Sequence, residues 1–290
     1  MTRTKPSGLV EGLTRPGLHA FLEQSFEERW RRYRKTLKRC AREFSEKSIH
    51  ELRVETRRWL AFLGLLEPFL GEMPVQELTD KVKKLFKSSA RLRDNQVQLL
   101  YLESKVEDFP EIAPFRKELL RREKRLSRRL KRKIAAALEN TLRKQVSGIR
   151  HALHLWTRDA LLESEHAVQL LGSVNHAFER VLAMRRAVRP ELPETIHRLR
   201  VAFKRFRYMV EMLQPILPDL PLARLEAMHA FQQTMGEIQD AEVLAAALEK
   251  YAATEAASAS DRFRQDLLAH RAELIADFLQ DTDWLTEFWP

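Results

Sequence analysis

Apolar residues recur every three to four positions along most of this 290-residue chain, and no stretch alternates apolar with polar residues as a strand would. The first helical run is 17–44, with Phe21, Leu22, Phe26, Trp30, Tyr33 and Leu37 at helical spacing. A second begins near His50 and is expected to close near Pro68 and Gly71, residues that continue a helix poorly. A third spans 75–102. Phe109-Pro110 and Pro114 break the chain before a fourth at 115–139. After a joining segment around 141–156 come four more, at 167–187, 197–215, 222–251 and 261–280. They are separated by Pro190–Pro193, Pro218–Pro221 and a small-residue linker, 252–260. The fold class read from this pattern is all-α, with a four-helix half over 15–145 and another over 150–285. Residues 1–16 are expected to be mobile, and the tail residues Trp284, Phe288 and Trp289 to dock on the core.

The two halves share more than a plan. His50-Glu-Leu-Arg-Val-Glu-Thr-Arg-Arg returns, 147 positions on and without a gap, as His197-Arg-Leu-Arg-Val-Ala-Phe-Lys-Arg, with Pro68 matched by Pro215. A second element, Ala90-Arg-Leu-Arg-Asp-Asn-Gln-Val, aligns with Gly236-Glu-Ile-Gln-Asp-Ala-Glu-Val at an offset of 146, pairing Asp94 with Asp240. On a helical wheel His50, Arg53, Arg57 and Arg58 lie opposite Leu52, Trp59, Phe62, Leu63 and Leu66. The second copy likewise sets His197, Arg200, Lys204, Arg205, Arg207 and Tyr208 opposite Leu199, Phe206, Met209, Val210 and Leu213. A core-forming stripe accounts for the leucines and aromatics. It does not require a cationic opposite face in both copies.

Composition sharpens this. The chain carries 51 Lys and Arg against 41 Asp and Glu, a net charge of +10. Residues 1–150 hold 36 basic and 20 acidic residues, a net +16, and residues 151–290 hold 15 and 21, a net −6. Such asymmetry points to a polyanionic partner met chiefly by the first half. The lone Cys40 has no internal disulfide partner, and no apolar run of about 18 residues or secretory leader is evident, so a cytoplasmic protein without a membrane partner is expected.

Further basic rows follow helical spacing: Arg31, Arg34, Lys38 and Arg42 on the first helix, and Lys83, Lys87 and Arg91 leading to Asp94 on the third. On the fourth, Arg125, Arg128 and Arg132 lie opposite Leu119, Leu126, Leu130 and Ile134. Like charges stacked this way repel, and a bound polyanion turns that repulsion into attraction. Neither histidine has a His, Cys or carboxylate at i+3 or i+4, so no metal or other cofactor is expected. Asp94 and Asp240 are one carboxylate per half, too few for two-metal phosphoryl chemistry, and are expected to organise the basic side chains.

The two histidine motifs, with Arg93-Asp94 and Asp240 after them, resemble the CHAD family, the conserved-histidine α-helical domain, over about residues 15–285. The resemblance implies one domain of two four-helix bundles related by a pseudo-twofold, with basic faces meeting around a central groove or pore. It also implies binding of inorganic polyphosphate and association with polyphosphate granules. The residues expected to contact phosphate are Arg34, Lys38, His50, Arg53, Arg57, Arg58, Lys83, Lys87, Arg91, Arg93, Arg125, Arg128, Arg132, His197, Arg200, Lys204, Arg205 and Arg207. Where the second half departs from the pattern, Gln239 stands opposite Arg93, and His229 and Gln233 opposite Lys83 and Lys87, so it is expected to contribute less affinity. The leading expectation is non-enzymatic polyphosphate binding. A nucleic-acid binder is the alternative from charge alone, and a metal-dependent polyphosphate or triphosphate hydrolase using Asp94 or His50 is the enzymatic one.

Overall fold

Each apolar stripe becomes the buried face of a helix in the computed structural model, which describes residues 17–70, 72–139, 142–217, 219–253, 261–280 and 283–289; among these no strand occurs. Helix α1, Leu18–Glu43, buries Leu18, Leu22, Phe26, Trp30, Tyr33 and Leu37. It ends at Phe44, whose φ of 41° is the left-handed conformation that usually selects glycine. Lys131 lies 4.7 Å over the Phe44 ring. Helix α2, Glu46–Leu70, opens with a reciprocal cap: the Ser48 amide donates to Ser45 Oγ at 3.1 Å and the Ser45 amide to Ser48 Oγ at 2.9 Å. Helix α2 closes at Leu70, where the sequence places its end, with Pro68 in the last turn. Its ring removes only the hydrogen bond its own nitrogen would donate, while buried Leu65 and Leu66 and the packed Phe69 and Leu70 hold the turn.

Helix α3 spans Glu72–Lys105 and α4 Ala113–Glu139. Pro114 lies in the first turn of α4, where its missing N–H removes no helical bond. The segment expected to be a mere junction is helical. Helix α5, Arg143–Thr157, buries Val146, Ile149 and Leu153 and packs on α1, α2 and α3, adding a fifth helix to the first half. The second half comprises α6 (Glu163–Arg186), α7 (Pro193–Leu213), α8 (Leu222–Ala252) and α9 (Asp261–Gln280). Pro193 begins α7 rather than only interrupting the chain, its fixed φ suiting a first turn. A 3₁₀ turn at Asp283–Phe288 then docks Phe288 and Trp289, both buried, with Phe288 5.5 Å from Phe203. The expectations for 1–16, Gly71, most of the 252–260 linker and the Trp284 side chain lie outside the described residues.

The packing order repeats. In the first half α1, α2, α3 and α4 are successive neighbours, and in the second α6, α7, α8 and α9 are. The halves meet through matched helices: α2 on α7, α3 on α8 and α1 on α6. At the last contact, His19 Nε2 and His166 Nδ1, 147 positions apart, share a buried hydrogen bond of 2.9 Å. The His166 ring stacks on Trp156 with centroids 3.8 Å apart, and Glu163 Oε1 accepts the His19 amide at 2.9 Å, capping α1 from the other half.

The apolar interior forms two clusters rather than one. The larger holds Phe26, Trp59, Phe62, Phe203, Phe206 and Phe231; the smaller joins the far ends of α3, α4, α8 and α9 through Leu102, Phe115, Leu244 and Phe263. Along α3 the larger cluster reaches Leu92 and the smaller begins at Leu99; along α8 the break falls between Ile238 and Ala241. Asp94 and Asp240 lie in those gaps.

Candidate functional site

Arg53 of α2 is 6% exposed, an unusual degree of burial for an arginine. Its Nη1 donates to Ser89 Oγ of α3 at 3.2 Å, and Ser89 Oγ donates in turn to the Phe86 carbonyl at 2.8 Å. The Phe86 ring lies under two guanidinium groups, 4.8 Å from Arg53 and 5.6 Å from Arg57. Facing them from α7 are Arg200 and Lys204, both half-buried. Arg200 passes so close over α8 that a Cβ on Gly236 would lie 3.8 Å from its Nη2, and its buried Nε has no hydrogen-bond partner.

Charge in this centre is unbalanced. Arg53, Arg57, Arg200 and Lys204 share it with the Asp94 and Asp240 carboxylates. Burial, reinforced by Arg57, Arg200, Arg53 and Arg207, pushes the Lys204 ammonium down to about 6. Burial and then Arg57 bring Arg53 down to about 10, with Asp94 acting the other way. Arg200 is lowered chiefly by burial, against the pull of Asp240. Asp94 and Asp240 are exposed at one edge, yet the protein mass behind them raises both above the usual carboxylate range, although Arg53 and Arg200 oppose this. The Arg122 guanidinium, on the side of α4 that faces α3, also bears on Asp94.

The heads of α2 and α7 are each tied to the next helix, at α7 by the motif histidine and at α2 by an ion pair beside it. His197 Nδ1 hydrogen-bonds Gln239 Oε1, directly before Asp240. At the matched place His50 lies beside Arg93, directly before Asp94, and Arg93 pairs with Glu46. Burial first, then Arg93, Arg57 and Arg53, hold the His50 imidazole below its ordinary pKa.

The remaining expected residues divide. Lys83, Lys87 and Arg91 are exposed along the α3 row that ends at Asp94. Arg205 is exposed on α7, its Nη2 3.9 Å from where a Cβ on Gly64 of α2 would be. Arg207 is buried and already satisfied: Nε donates to Gln232 Oε1 at 2.9 Å, Nη1 to Glu211 one turn on, and the group lies 4.5 Å over Tyr208. Arg58 turns toward α1, donating at 2.9 Å to Glu55, which also faces Arg29. Arg34 and Lys38 line a separate groove on the outer side of α1, with Arg34 5.5 Å over Trp30. Arg125, Arg128 and Arg132 form their own surface on α4. Sequence reasoning missed Phe86, Ser89 and Arg122. An aromatic inside the row Lys83-Lys84-Leu85-Phe86-Lys87 was the available signal for the first. Among the described residues, no three His, Cys, Asp or Glu side chains converge in a group able to hold a metal ion, and no helix is long and apolar enough to cross a membrane.

Two sequence-matched runs of helices, packed on one another through α1 on α6, α2 on α7 and α3 on α8, define an all-helical module with an internal repeat. The chain belongs to the CHAD domain family, whose profile matches residues 22–249, from α1 to the end of α8. The crystal structure of the CHAD domain from the plant Ricinus communis is similar in fold, with a TM-score of 0.59 at 18% identity over 94% of this chain and 90% of that one. No curated protein matches the chain.

Proposed function

We propose that this protein binds inorganic polyphosphate at the centre between its halves, without chemical change to it, and that this recruits it to polyphosphate granules. The observation that carries the reading is the surplus of basic over acidic side chains in this partly buried centre: the Arg53, Arg57 and Arg200 cations, with Lys204 held short of its proton beside them, against two carboxylates, and one buried guanidinium nitrogen unpartnered. Buried charge without a counter-charge is costly, and an anion supplying strong acceptors relieves it. The centre lies where α2 meets α7 and α3 meets α8, which suits a thin polyanion without bulky side groups better than a nucleic-acid strand. The exposed row Lys83, Lys87 and Arg91 leads out of it along α3, so a linear chain of phosphates has cations to follow beyond the first few.

The test is calorimetric titration of long-chain polyphosphate into wild type and into the double variant Arg57→Glu, Lys204→Glu. Two charge-assisted contacts at roughly 1.5 kcal/mol each make the expected loss about a hundredfold. A variant that keeps its helical circular dichroism and binds as wild type does would overturn the reading.

A further inference from the structure

The α4 cations that do not reach the centre form a surface of their own. Lys117, Arg121 and Arg125 make one i, i+4 row and Lys124, Arg128 and Arg132 another, and all six side chains are exposed. They lie opposite Leu119, Leu126, Leu130 and Ile134, by which α4 packs inward. Glu118 pairs with Arg125 at 2.9 Å and Arg121 at 3.7 Å, and Arg128 Nε donates to the Lys124 carbonyl at 3.4 Å.

We propose that this outer face of α4 is a second polyanion surface, distinct from the centre, that docks on the phosphate backbone of double-stranded nucleic acid. Three features select a duplex. The face is a single exposed helix side, and laying a flexible chain such as polyphosphate on so open a surface loses much conformational freedom, whereas a duplex is already rigid. From Lys117 to Arg132 the rows extend about 22 Å at 1.5 Å per residue, more than half of a duplex turn of about 34 Å. Between residues 116 and 134 there is no aromatic side chain on which an unpaired base would stack, and no Asn or Gln to read a base edge. The contact is therefore to phosphates alone, without sequence preference. The protein then joins two polyanions, one held between its halves and one along α4.

The test is fluorescence anisotropy of a labelled random-sequence duplex titrated with the full chain, beside polyphosphate titrations on the same samples. In Arg125→Gln, Arg128→Gln, Arg132→Gln, glutamine preserves helix propensity. Duplex affinity is expected to fall about tenfold or more at moderate salt, with the slope of log K against log salt shallower by about three. Polyphosphate affinity should stay within about twofold of wild type, and the Arg57→Glu, Lys204→Glu variant should bind duplex normally. Unchanged duplex binding in the α4 variant would overturn the proposal. So would no duplex binding by wild type, equal affinity for a single strand of the same charge, or a parallel loss of polyphosphate affinity, which would assign α4 to the polyphosphate track. None of these touches the reading of the centre, which stands or falls on its own variant.

Discussion

Without a bound anion, the folded protein holds Lys204 largely deprotonated at neutral pH, because burial and four neighbouring arginines disfavour the ammonium. An unfolded lysine keeps its proton up to about pH 10.4. The folded chain thus binds fewer protons than the unfolded one between pH 6 and 10, so this residue makes stability rise with pH across that window and penalises it fully below about 6. Replacing Lys204 with Met is expected to raise the melting temperature at neutral pH, flatten its rise toward pH 10, and weaken polyphosphate binding. A bound polyanion restores the proton, so wild type should take up close to one proton on binding at pH 7.5, seen by calorimetry in buffers of different ionisation heat and absent in the Met variant. Residue types were legible in the sequence but their directions were not. Arg200 and Arg207 lie two turns apart on one basic face, yet Glu211 and Gln232 claim Arg207 while Arg200 keeps an unpartnered nitrogen. Phe86 stayed hidden because the groups it supports are on a different helix.

Element by element, apolar spacing located eight of the nine described helices, because each has a face to bury. The ninth, α5, was read as a junction: it has no counterpart in the repeat, and Gly148 interrupts an already polar segment. Val146, Ile149 and Leu153 carried the signal. Ile149 is fully buried against the first half, so Ile149→Ala is expected to destabilise the chain by about 2–5 kcal/mol in urea unfolding. A change under about 0.5 kcal/mol, the range of ordinary surface substitutions, would show α5 to be peripheral. Prolines marked where helices end and begin, but not their place in the turn: α2 ends within two residues of Pro68, which rides in its last turn, and the break ahead of α7 ends at Pro193, which starts that helix.

At the scale of the molecule the repeat foretold that matched helices exist, though not that they would face one another. His19-Ala20 and His166-Ala167, 147 positions apart like the histidine motifs, were the unread sign of the contact between α1 and α6. Burial and then His19 hold His166 below its ordinary pKa, with Glu165 and Asp159 opposing, so the unfolded chain takes up its proton first as pH falls. Stability is expected to drop below about pH 6.5 on this account, and urea unfolding at pH 7.5 and 5.5 should show a smaller drop in His166→Gln than in wild type. The same contact bears on how alike the halves can be. A hydrogen bond between two neutral imidazoles needs one ring to donate and the other to accept, and here one uses Nε2 and the other Nδ1. Because Nε2 of one ring meets Nδ1 of the other, both rings hold the same tautomer while one donates and the other accepts, and a single shared proton makes the copies unequal where they touch. Identical substitutions at 19 and 166 are then different experiments.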